Sequence, residues 1–287
     1  MSKHGKHGSY IELLNPEKKY DTFNLPGFNN ELRLQNNKSR ILIEKSGKER
    51  VGFLKICKKD FYIKNSFCER DMLTIKHEHL VSLNDIYEND IYIIFRYKYY
   101  NMIDLFACVS NNILYNIVKK NNHLDKISKQ LIMVINYLHN KKICHRDIKI
   151  DNILVNFKDG FKILVCDFEF IINTDSFGYN IRIGDDNNLG TLQYMAPELY
   201  RPGNINWRQV DIWGIGIVLC IIYSQTLPGT LGIHNSHSYF KIWDKHYNDI
   251  FYKHNNLKEK DLNIIITFMN PDPSKRKSLD KFIDYYN

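Results

Sequence analysis

The sequence predicts an α+β protein of two lobes, a small strand-rich one followed by a larger helical one. Three observations carry that expectation. A chain of 287 residues is too long for one small core and suits two lobes around a cleft. Runs rich in β-branched and aromatic residues are concentrated before about position 98. Beyond it apolar residues recur at helical spacing, so the change near Tyr97–Met102 is the natural boundary.

Taken in order, residues 1–30 are polar and broken by Gly5, Gly8, Pro16, Pro26 and Gly27, which reads as an extension with little structure of its own. Residues 31–98 form the first lobe. Two strand-like runs, Arg40 to Glu44 and Arg50 to Cys57, flank the turn Lys45-Ser46-Gly47-Lys48 and predict a hairpin. Phe67 to Lys76 predicts a helix, and Ile91 to Phe95 a further strand. Residues 99–287 form the second lobe. Its first long helix is expected over Leu124 to His139, where Leu124, Ile127, Leu131, Ile132, Ile135 and Leu138 share one face.

Composition narrows the function classes. Hydrophobic residues make up 44% and charged residues 25%, which is globular rather than disordered composition. The net charge of +8 invites a nucleic-acid reading, but Lys and Arg are spread along the chain rather than gathered in a stripe, which disfavours nucleic acid as the main partner. Six cysteines without C-x-x-C spacing suggest neither a zinc site nor disulfides, and imply a reducing compartment. The longest apolar run, Ile212 to Tyr223, is too short to span a bilayer. A soluble, cytoplasmic monomer is expected.

The segment most charged with chemistry is Cys144-His-Arg-Asp-Ile-Lys-Ile-Asp-Asn-Ile-Leu154, followed by Ile163-Leu-Val-Cys-Asp-Phe-Glu169. Upstream lie Gly52-Phe-Leu-Lys55, Glu69 and His77-Glu-His-Leu-Val81. Downstream lie Gly190-Thr-Leu-Gln-Tyr-Met-Ala-Pro-Glu198, Asp211-Ile-Trp-Gly-Ile-Gly216 and Asp272-Pro-Ser-Lys-Arg276. This ordered series resembles the eukaryotic-type serine/threonine protein kinase domain over roughly residues 31–287. The resemblance implies a bilobal kinase fold, with a β-rich N-lobe carrying an αC helix and an α-helical C-lobe. It also implies ATP and Mg²⁺ as cofactors and a protein substrate with a Ser or Thr acceptor.

Carried over position by position, the resemblance makes Lys55 the holder of the α/β-phosphates, paired with Glu69. Asp147 becomes the catalytic base and Lys149 the partner of the γ-phosphate. Asn152 and Asp167 would bind Mg²⁺ through hard oxygen ligands. Ile41, Phe53, Phe95 as gatekeeper, the hinge from Arg96 to Lys98, Leu154 as adenine floor and Asp104 as ribose contact would line the nucleotide. Lys149 with Gly190-Thr191 resembles the serine/threonine subgroup. His145, Phe168, Leu73 and Leu83 map to packed apolar positions, and Glu198 with Arg276 to a buried ion pair.

Departures from the pattern stand beside it. Where the family carries G-x-G-x-x-G, this chain has Leu34 to Ile41 with Asn36, Asn37 and Ser39 in place of glycines, so weaker or differently shaped ATP binding is expected. Phe53 replaces a small residue over adenine. Glu169 replaces the glycine of D-F-G, which favours an inward Asp167. Asp185 or Asp186 could stand in for a phosphate opposite Arg146, or be a solvated acidic turn, with Thr174, Ser176 and Tyr179 as other phosphosites. A pseudokinase scaffold that binds nucleotide without transfer is the competing reading.

Overall fold

The computed structural model of the chain describes residues 22–23, 32–33, 39–46, 49–64, 68–88, 92–114, 124–157, 161–177, 191–200, 203–224 and 259–283. Leu34 to Lys38, Tyr179 and Asp185 to Gly190 lie outside them, so Asn36 and Asn37 of the glycine-loop stretch and the acidic turn are beyond this description, while Ser39 to Ile41 open a strand. The chain divides into two compact units, Met1–Lys76 with Val81–Tyr100, and His77–Leu80 with Asn101–Asn287.

In the first unit, β1 (Thr22–Phe23) pairs with β2 (Leu32–Arg33) in a two-stranded ladder. A four-stranded antiparallel sheet follows, built from β3 (Ser39–Ser46), β4 (Glu49–Lys58), β5 (Leu83–Glu88) and β6 (Tyr92–Lys98) in the order β3-β4-β6-β5. The expected hairpin is β3–β4. Because side chains alternate along a strand, the register that opposes Lys55 to Phe95 and Phe53 to Tyr97 puts these four on one face. The opposite face holds Arg96, which pairs with Glu44 and Asp85 at 2.8 and 2.9 Å.

The helix expected over 67–76 takes another form. An α-helix, α1 (Lys59–Lys64), follows β4, and then a five-residue 3₁₀ helix spans Glu69–Leu73. A 3₁₀ helix has three residues per turn, so positions i and i+3 share a face. Glu69 and Met72 are therefore the buried pair, at 0% and 1% exposure, while Leu73 is 38% exposed. That corrects the expectation that Leu73 packs inside; Leu83, at 0%, does.

In the second unit, β7 (Ile103–Asp104) leads into α2 (Leu105–Ser110), and α3 (Leu124–Asn140) is the expected amphipathic helix. Ile127, Leu131, Ile132, Ile135 and Leu138 are fully buried on its inner face. Next come β8 (Ile143–Cys144), β9 (Ile153–Asn156), β10 (Lys162–Val165), β11 (Ile172–Asn173) and the short α4 (Thr174–Phe177). They form a three-stranded sheet, β10-β9-β7, and the pair β11-β8. The unit also contains α5 (Trp207–Ser224), α6 (Glu259–Phe268) and α7 (Asp280–Ile283).

The apolar run at 212–223 belongs to α5, which is buried nearly all round and forms the centre of this core. Two glycines let neighbours approach it. A Cβ on Gly214 would stand 2.9 Å from Ile148 Cβ, and one on Gly216 would stand 2.5 Å from Met269 Cγ. No helix among the described residues is long and apolar enough to cross a membrane.

Candidate active site

The first unit supplies a buried cationic centre. Lys55 comes from β4, 5% exposed, and its Nζ donates to Glu69 Oε2 at 3.0 Å and Oε1 at 3.3 Å. Lysine and glutamate are seldom this deeply buried unless paired. Tyr97, one strand over on β6 and 3% exposed, donates its hydroxyl to Glu69 Oε1. Its ring stacks on Phe53 at a centroid distance of 4.9 Å and an interplanar angle of 13°.

Sequence reasoning missed Tyr97. Alternation along β6 puts positions 95 and 97 on the same face, which the sequence does show, but the register that opposes 97 to Phe53 comes from the sheet. Phe95, expected as gatekeeper, is fully buried opposite Lys55 and touches the Tyr62 ring at 5.4 Å. Burial pushes the Tyr62 hydroxyl above its ordinary range.

The expected hinge residues lie at the end of β6. Arg96, Tyr97 and Lys98 all pair with β4, and Arg96 and Tyr97 also pair with β5. Lys98 N–H donates to Ser82 C=O at 3.0 Å, and Tyr99 N–H to Val51 C=O at 3.3 Å. The non-strand connection begins at Tyr99. Ile41 is 64% exposed on β3. Asp104 is the N-cap of α2, its carboxylate accepting from Ala107 N–H at 2.7 Å. Leu154 stands on β9, opposite Asp104 of β7 and Leu164 of β10.

The second unit supplies a carboxylate held by several donors. The loop from His145 to Asn152, between β8 and β9, carries Asp147, 3% exposed. Its Oδ2 accepts from Lys149 Nζ at 2.7 Å and from the Asn152 amide at 3.0 Å. Its Oδ1 accepts from Thr191 N–H at 3.3 Å and from the Thr191 hydroxyl at 3.4 Å. Lys149 also donates to the Thr191 hydroxyl at 3.0 Å, so a single cation bridges the carboxylate and the threonine. A small pocket beside this cluster is lined by Ile148, Tyr194, Met195 and Leu199.

The loop is held from beneath. Asp211 of α5, 1% exposed, accepts from Arg146 N–H at 2.7 Å and His145 N–H at 2.8 Å, and contacts His139 Nε2 at 2.9 Å. These bonds stabilise Arg146 at φ 69°, a left-handed conformation unusual outside glycine. The Arg146 guanidinium lies over the Trp207 ring at 4.1 Å.

The donor set suits a hard cation. Asn152 turns its NH₂ toward Asp147, donating to the backbone oxygen at 2.9 Å and to Oδ2, which leaves the amide oxygen facing away from that carboxylate. Cys166 N–H donates to Asn152 C=O at 3.0 Å, so Asp167 follows one residue from Asn152's own neighbour across the β9–β10 pair. An amide oxygen and a carboxylate are the kinds of oxygen ligand that Mg²⁺ takes. Asp167 has φ 63°, and Phe168 behind it is fully buried, edge-on to His145 at 5.7 Å.

Two further expectations are settled by packing. Glu198 and Arg276 form a bidentate pair at 2.7 and 2.8 Å, with Arg276 also over the Trp213 ring. Thr174, offered as a phosphosite, is 2% exposed with its hydroxyl bonded to Lys142 C=O at 3.1 Å, so burial withholds it from a modifying enzyme.

Similarity to known proteins follows the same arrangement. A family profile described as the protein kinase domain matches residues 43–285. The chain is 24% identical over 218 residues to a probable serine/threonine-protein kinase, CCRP1, of Zea mays, covering 74% of this chain and 32% of that protein. It is 27% identical over 239 residues to the hormonally up-regulated neu tumor-associated kinase homolog A of Xenopus laevis, covering 79% and 32%. Against sperm motility kinase 3A of Mus musculus it is 29% identical over 186 residues, covering 62% and 33%. The chain thus aligns over about a third of the length of these relatives.

Proposed function

Since the chain belongs to the protein kinase family, we propose that it transfers the γ-phosphoryl group of ATP to a Ser or Thr hydroxyl of a protein substrate. The observation that carries this reading is the Asp147 carboxylate, buried yet bonded by Lys149, Asn152 and Thr191 at 2.7 to 3.4 Å. A carboxylate so oriented can take the proton of an acceptor hydroxyl.

In the reaction the acceptor oxygen bonds to the γ-phosphorus and the bond from that phosphorus to the β,γ-bridging oxygen breaks. ADP leaves, and the hydroxyl proton passes to Asp147. Lys149, already between Asp147 and Thr191, supplies positive charge where the transferred group gains negative charge. Lys55, oriented by Glu69, holds the α/β-phosphates. The family generally uses Mg²⁺; Asn152 and Asp167 are the residues that would hold it, and it would supply positive charge to offset that of the phosphates. The hinge from Arg96 to Lys98, at the end of β6, is the backbone that would meet adenine. The Thr191 hydroxyl and the Lys149 contact beside Asp147 support a Ser/Thr acceptor over a tyrosine. Six free cysteines suit a reducing, cytoplasmic setting, and a monomer holds every residue named here.

The test compares wild type with Asp147→Asn on a peptide array with Mg-ATP. Turnover on Ser/Thr peptides should fall about 10²- to 10⁴-fold in the variant, with nucleotide affinity retained. A second reading, a scaffold that binds nucleotide without transferring phosphate, is favoured by the absent glycine triad and the Phe53 ring on β4. Nucleotide binding by a wild type that phosphorylates nothing would establish it instead.

A further inference from the structure

We propose that Tyr97 is a positioning residue for phosphoryl transfer: its hydroxyl tethers Glu69 from a second strand, so that Lys55 stays aligned. The inference rests on the kinase reading above. Glu69 begins a five-residue 3₁₀ helix with no side-chain N-cap bond, an element too short to hold a carboxylate by its own stability. The sheet supplies two tethers for it. Lys55 supplies one tether from β4, bonding both oxygens, and Tyr97 supplies another from β6 to Oε1.

The second tether matters because the first has another task. When Lys55 turns part of its hydrogen-bonding capacity to a phosphate, Glu69 loses some of that attraction, and the tyrosine hydroxyl keeps the carboxylate in place. Tyr97 is itself well placed to do this. Its ring is 3% exposed and stacked on Phe53, its cross-strand partner, which limits the directions the hydroxyl can take. A phenol is also a donor of fixed reach, with no charge to compete with Lys55 for the phosphate.

Steady-state kinetics on wild type, Tyr97→Phe, Glu69→Leu and the double variant test the proposal. A hydrogen bond to a charged group predicts that Tyr97→Phe lowers kcat/KM for ATP about 10- to 100-fold. The loss should include a raised KM for ATP, while KM for the peptide stays within about twofold. Simple loss of folded enzyme would lower the rate and leave both KM values alone. In the Glu69→Leu background, which has no acceptor for the hydroxyl, the tyrosine change should add less than about twofold. Wild-type kinetics in Tyr97→Phe, or an equal loss with and without Glu69, overturns the inference. If the wild type shows no turnover, the kinase reading fails by itself, and thermal unfolding of the same four proteins decides the tether: non-additive losses support it, and additive losses refute it.

Discussion

Replacing Asp211 with Asn should destabilise the second unit by about 3 to 5 kcal/mol, the range for breaking a buried charged network on one side. The figure follows from the bonds. Oδ1 accepts from Arg146 N–H at 2.7 Å, and Oδ2 accepts from His145 N–H at 2.8 Å while contacting His139 Nε2 at 2.9 Å. Asparagine keeps the shape but turns one oxygen into a donor, so at least one of these N–H groups would meet another N–H. A lost bond to a charged acceptor is worth about 1.5 to 3 kcal/mol, and an orphaned buried donor costs about 1 to 3 kcal/mol. With Asp211 1% exposed, water cannot make up the loss. Urea unfolding followed by fluorescence reads the effect directly, because Trp207 and Trp213 are buried on the same helix as Asp211. Turnover should fall as well, since the left-handed backbone of Arg146 immediately precedes Asp147. A change below about 1 kcal/mol would refute the claim that this carboxylate holds the loop.

Met72→Ala should cost about 2 to 5 kcal/mol in thermal or urea unfolding, whereas Leu73→Ala should cost well under 1 kcal/mol; the reverse order would mean that an α-helical face, not a 3₁₀ face, is buried. Burial first, then the neighbouring His79 in the case of His77, hold both His77 and His79 below the ordinary histidine range. The unfolded chain therefore takes up protons first as pH falls, and the contribution of this pair, complete above about pH 6.5, drains away below it toward the folded values. Urea midpoints measured between pH 7.5 and 5 should decline, and a His77→Gln/His79→Gln variant should decline less. Gly214→Ala would press a methyl on Ile148, between Asp147 and Lys149, while Gly216→Ala would press on Met269 and Phe268. Each should cost about 1 to 3 kcal/mol through overpacking, but only Gly214→Ala should also depress kcat out of proportion to its stability loss.

The parts of this protein that were legible in the amino-acid order are those whose cause is local. The β3–β4 hairpin follows from two apolar runs around a Gly-containing turn, and α3 from a repeat of apolar positions every three or four residues. Asp147, Lys149 and Asn152 lie within six residues of one another, so their grouping in one loop needs little beyond the chain itself. Lys55 and Glu69 are fourteen residues apart, and their pairing was read from resemblance, which served because both residue types are costly to bury alone.

Other features depended on what surrounds each residue. Whether Met72 or Leu73 turned inward rested on the helix tightening to three residues per turn. The reach of β6 through Lys98 was decided by its pairing with β4 along its whole length and with β5 as far as Tyr97. Thr174 looked modifiable until packing enclosed it, and Asp104 proved to be a helix cap. Tyr97 acquired its role only when β6 lay beside β4 and brought its hydroxyl to Glu69. Residue order states which groups are available and how neighbours along the chain are spaced. Burial and hydrogen bonding between distant segments are settled by the joint competition of all the side chains for the same interior, and that competition has a result only in three dimensions.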